Sequence, residues 1–89
     1  SMSMGAALKA ARALELATHV TAVEILCACQ GIDLLAPLTT SSRLARVHDR
    51  VRSIVPALSE DRPPAPDINA IAASIANGSF QSPIAAEVK

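Results

Sequence analysis

The stretch "VEILCACQGI", residues 23–32, is apolar at seven of its ten positions. On a helix of about 3.6 residues per turn, Val23, Ile25, Leu26, Cys27, Ala28, Cys29 and Ile32 point around nearly the whole circumference. A helix that is apolar on every side is expected to be enclosed by other elements. Upstream, Lys9, Arg12, Glu15 and His19 fall on one arc, so the first half of the same helix is amphipathic. No proline interrupts the run from Ala6 to about Leu35, and Gly31 is its single glycine. Ser3 offers an N-cap and Pro37 forbids continuation. Roughly thirty helical residues span about 45 Å, whereas a compact domain of this length has a radius of gyration of only about 12 Å. The rest of the chain cannot wrap such a rod. The long helix is therefore expected in a bundle whose other members come from more of the same polypeptide or from other chains.

Beyond the long helix, "APLTTSSRL" (residues 36–44) reads as a connector, with Thr39 to Ser42 as N-cap candidates for a second helix. Leu44, Val47, Val51, Ile54 and Leu58 recur at helical spacing, and Arg43, Arg46 and Arg50 occupy the other face. Those arginines read as a solvated or inter-subunit face. Asp49 is spaced to pair with Arg46 or Arg52. His48 reads as a surface histidine without a spaced acid or cysteine partner, and so as non-catalytic. Pro56 ends or bends this helix, and Pro63, Pro64 and Pro66 hold the following segment extended. Asp67 is expected to cap a last short helix, "INAIAASIAN", with Ile68, Ile71, Ala72 and Ile75 on one side and Gly78 at its C′ position. The fold class is all-α: one long helix plus two shorter helices, a piece of a larger helical bundle. Residues 1–2 read as a remnant of expression cloning, residues 3–80 as the helical segment, and residues 81–89 as a weakly patterned tail.

The composition limits the function. Of 89 residues 51 % are hydrophobic, but Phe80 is the sole aromatic, so Ala, Leu, Ile and Val must fill the core. Eight basic residues balance eight acidic ones, which argues against nucleic acid or an anionic membrane as partner. The most apolar stretch, residues 16–32, contains His19, Glu24 and Gln30 and falls short of a membrane span. It has neither the basic flank nor the cleavage pattern of a signal peptide. Cys27 and Cys29 lie about 200° apart on a helix, so they cannot share a metal or bond to each other. Both read as buried, inert thiols, which suits a reducing cytoplasm. No phosphate loop, metal-ligand cluster or nucleophile elbow is present, and Glu60 and Asp61 are neighbours too close in sequence to work as an acid/base pair. Arg62 beside them reads as a local salt bridge or an anchoring contact. Catalytic, cofactor-binding and metal residues are therefore expected to be none in this chain.

Four stretches in order carry a resemblance: "SMGAALKAARALE" (3–15), "VEILCACQGIDLLAPL" (23–38), "VRSIVPALSEDRPPAPDI" (51–68) and "IANGSF" (75–80). Over about residues 3–80 they resemble the C-terminus of histidine ammonia-lyase and its aromatic amino-acid lyase relatives. The resemblance implies a largely helical homotetramer with long bundle helices. It also implies elimination of ammonia from an amino acid by an electrophilic methylidene-imidazolone (MIO), made from an internal Ala-Ser-Gly. This chain has no Ala-Ser-Gly, since Ala73-Ser74 is followed by Ile75, and it has no tyrosine. In the family the active-site glutamate belongs to a Gln-Glu-Asp-His-Val run just ahead of Ser-Met-Gly. Here Ser3-Met4-Gly5 keeps the end of that motif, while Ser1 and Met2 stand where His-Val would be.

The expectation is therefore a C-terminal structural and assembly fragment, inactive alone, whose partners are the remainder of its own polypeptide and further copies. L-Histidine is favoured as the parent's substrate because the tail lacks the large extension of plant phenylalanine ammonia-lyases. Phenylalanine or tyrosine lyases and aminomutases stay open. The alternatives are a stand-alone helical self-association module and, behind it, a small metal or redox protein. On the first reading the proline-rich joint folds the chain back over the end of a bundle, and its charges anchor a turn.

Overall fold

The computed structural model describes residues 2–81. Its elements are α1 (Met2–Leu34), α2 (Ser42–Ile54) and α3 (Ala65–Ala76), with no strand among the described residues. The all-α class is as the periodicity predicts. At 1.5 Å per residue α1 is about 50 Å long, and it sets the longest dimension of the molecule, 56 Å. The radius of gyration, 15.5 Å, exceeds the compact expectation accordingly.

Helix α1 begins before Ser3, which is therefore an ordinary helical residue and not the N-cap. Nothing in Met-Ser-Met-Gly-Ala-Ala opposes propagation strongly enough to set a boundary there. At the other end Leu35 N–H is shared between Gly31 O and Ile32 O, both at 3.2 Å, and Ala36 N–H turns to Asp33 O. This tightening satisfies the last carbonyls where Pro37 has no N–H to offer.

Among the four hydroxyl candidates, Ser41 is the cap of α2. Its Oγ accepts from Leu44 N–H at 3.3 Å. The helix stops at Ile54 because Val55, which precedes Pro56, is driven to extended backbone (φ −130°, ψ 114°). Leu58 shares the periodicity of α2 but lies beyond its end, 46 % exposed.

The start of α3 differs from the expected one. It begins at Ala65 with Pro64 at the N-cap and no side-chain cap, and Asp67 lies inside the first turn. Pro66, with its preset φ and missing N–H, suits the opening turn and needs no capping partner. Asp67 still faces the positive end of the helix dipole. The other end is as the glycine predicts. Gly78 has φ +81°, its N–H donates to Ile75 O, and Ser79 N–H donates to Ser74 O. Together these make a Schellman closure.

Ile68 shares a groove with Leu26 and Cys27, whereas Ile75 and Ala76 share one with Ala11 and Leu14, so α3 runs antiparallel along α1. The small side chains of Ala22 and Ala72 permit the close approach. With Ile71, Val51, Val55 and Cys29 they form the buried core. Ile25, Leu26, Ile54, Ile68, Ile75 and Phe80 pack around it. Phe80 thus belongs to the core margin, while the tail from residue 82 lies outside the described residues.

Of α1 only Ala22 and Cys29 are buried. Its other flanks carry exposed Met4, Leu8, Leu14, Leu16, Val20, Val23 and Leu34. Full enclosure of residues 23–32, expected from their all-round apolarity, is not supplied by the described residues.

Candidate functional site

A network of polar side chains sits where the three helices meet. Asp33, one residue before the end of α1, receives three donors from α2. His48 Nε2–H donates to Oδ1 at 2.8 Å. Arg52 donates to Oδ2 through Nε at 2.9 Å and Nη2 at 2.6 Å. All three side chains are largely buried, His48 at 18 %, Asp33 at 27 % and Arg52 at 16 % exposure.

The chain of contacts continues through the joint. Arg52 Nη1 reaches Val55 O at 3.3 Å and Pro56 O at 3.5 Å. Arg62 Nη2 donates to the same Pro56 O at 2.6 Å, and its Nε donates to Asp67 Oδ2 at 2.9 Å. Two guanidinium groups therefore meet at the Pro56 carbonyl, which lies past the end of α2 and has no helical donor. One continuous path runs from the end of α1, through α2 and the proline joint, to the first turn of α3. Arg62 is an anchoring contact as its position predicts, and it holds Asp67, the residue expected to be a cap.

The electrostatics follow from this crowding. Burial pushes the Asp33 carboxyl up, but the hydrogen bonds from Arg52 and His48, with the charge of each, outweigh it, and the net shift is downward. The Cys29 thiol is pushed up, chiefly by burial, with Arg52 opposing and Asp33 adding to the shift. A thiol so shifted is a weak nucleophile.

Several sequence expectations change here. His48 is not a bare surface histidine, because Asp33 stands against it from another helix. Arg52 serves Asp33 and not Asp49, whose carboxylate is 84 % exposed and 3.7 Å from His48 Nδ1. Cys29 is buried as expected, but Cys27 is exposed. It lines an apolar groove of about 430 Å³ with Val23, Leu26, Leu34, Leu58 and Ile68. Arg43, Arg46 and Arg50 lie on the exposed face of α2. Elsewhere His19 Nδ1–H donates to Glu15 O at 2.9 Å and its Nε2 lies 3.3 Å from the Asn69 side chain, which ties α1 to α3. Among the described residues no group of three His, Cys, Asp or Glu side chains could hold a metal ion, and no helix is long and apolar enough to cross a membrane.

Chemically, the junction is a clamp. Its donors and acceptors are turned on one another, so it orients helices. No signal for Asp33 with His48 existed in the sequence, because 15 residues and a turn separate them.

An all-α segment with a polar junction and a long, half-covered helix is the class that fold and clamp define. The aromatic amino acid lyase family model matches residues 1–53, and the chain belongs to that family. It is similar to histidine ammonia-lyase of Homo sapiens, 50 % identical over 70 residues that make up 79 % of this chain and 11 % of that protein. The histidine ammonia-lyase of Anaeromyxobacter sp. (strain K) is 43 % identical over 81 residues, 91 % of this chain and 16 % of that protein. That of Caenorhabditis elegans is 44 % identical over 72 residues, 79 % and 11 % respectively. The chain thus spans only 11–16 % of the length of these curated relatives. No solved structure gives a significant match.

Proposed function

We propose that this chain is the C-terminal assembly segment of a histidine ammonia-lyase-type enzyme, catalytically inactive by itself. Its role is to contribute one long helix and a folded-back helical pair to a bundle completed by the remainder of the polypeptide and by further copies in a homotetramer. The observation that carries this reading is the set of exposed apolar side chains distributed around α1 between Met4 and Val20. Met4, Leu8, Leu14, Leu16 and Val20 are each more than half exposed in one helix. At 1.5–3 kcal/mol for each fully buried side chain, covering the roughly three-fifths of each that is exposed is worth about 5–9 kcal/mol. That rivals the whole stability of a small domain, about 5 kcal/mol at its lower end.

The similarity to histidine ammonia-lyases favours L-histidine as the substrate of the completed enzyme. The electrophilic methylidene-imidazolone implied by the family does not fit the residues present here. No Ala-Ser-Gly occurs, and the nearest match, Ala73-Ser74, lies within α3 with Ser74 buried. No step of the elimination is therefore assigned to this chain. Two free thiols suit a reducing cytoplasm.

The test is complementation. The chain is co-expressed with a histidine ammonia-lyase relative truncated before the matching segment, and ammonia release from L-histidine is measured for each part and for the pair. The proposal expects activity only in the pair, with both parts copurifying. Ammonia release by the chain alone, or a pair that neither associates nor turns over, would overturn it; the latter outcome favours a stand-alone self-association module.

A further inference from the structure

We draw no further inference here: the strongest candidate, the apolar groove in which Val23, Leu26, Cys27 and Leu34 of α1 face Leu58 and Ile68, is an uncovered face and nothing in the structure shows what covers it.

Discussion

Replacing Asp33 by Asn should cost this chain about 2 kcal/mol of stability. The perturbation keeps the shape of the side chain and removes its charge, so a comparison with the native chain isolates one carboxylate. In the native junction that carboxylate accepts three donors from His48 and Arg52, at 2.6–2.9 Å. Hydrogen bonds to charged groups are worth roughly 1.5–3 kcal/mol each, but they are not additive within one network. Breaking a fully buried ion pair costs about 3–5 kcal/mol because the abandoned charge stays buried. Asp33 is a quarter exposed and Arg52 less so, and solvent screening lowers the figure. A loss of ~2 kcal/mol corresponds to about a 30-fold fall in the folding equilibrium and a drop of about 10 °C in Tm.

The pH dependence provides the sharper test. The Asp33 carboxyl titrates lower in the folded chain than in the unfolded one. Its contribution is therefore fully present above the unfolded value of about 3.9 and is lost as pH falls through the folded value. Urea denaturation followed by circular dichroism, at one protein concentration for both chains, should show the penalty at pH 7 and show it shrinking below about pH 4. A penalty under about 0.5 kcal/mol at pH 7, in the range of an ordinary surface change, would refute the clamp as argued. So would a penalty that stays constant down to the lowest pH at which the chain folds.

Gly78→Ala should destabilise by about 1–2 kcal/mol, because φ is +81° there and the new Cβ would meet only an ordinary contact with Gln81; a thermal melt unchanged within error would contradict the Schellman closure. Of the two thiols, Cys27 should react with a disulfide reagent in the native chain, and Cys29 only on unfolding, since Cys29 is 5 % exposed and its thiol is shifted upward. Equal labelling rates under native conditions would mean that the burial asymmetry does not hold in solution.

Much of the fold was legible in the residues themselves. Ile68, Ile71, Ala72 and Ile75 announce the buried side of α3 by spacing, Ser41 stands among the hydroxyls expected as N-cap candidates for α2, and Gly78 marks a helix end through its conformational freedom. These are local signals, read within one or two turns. The clamp is not local. Asp33 meets His48 and Arg52 only because the turn after α1 brings α2 back across it, and no periodicity encodes that. The Asp67 expectation failed for a related reason: Pro66 suits an opening turn so well that the helix starts ahead of the acidic residue. Leu58 has the period of α2, but Pro56 had already removed it from the helix. Cys27 looked buried because every side of its helix is apolar; which flank α3 covers depends on the docking of Ala22 against Ile71 and Ala72.

The same distinction bears on the long helix. All-round apolarity between Val23 and Ile32 predicts enclosure, and the described residues enclose one flank. On the proposed reading, other polypeptide completes it. Sedimentation equilibrium of the 89-residue chain tests this most directly. The expected result is a helical species at a multiple of 9.2 kDa, as bare flanks find one another. A compact, fully helical monomer at 9.2 kDa across the concentration range would contradict it.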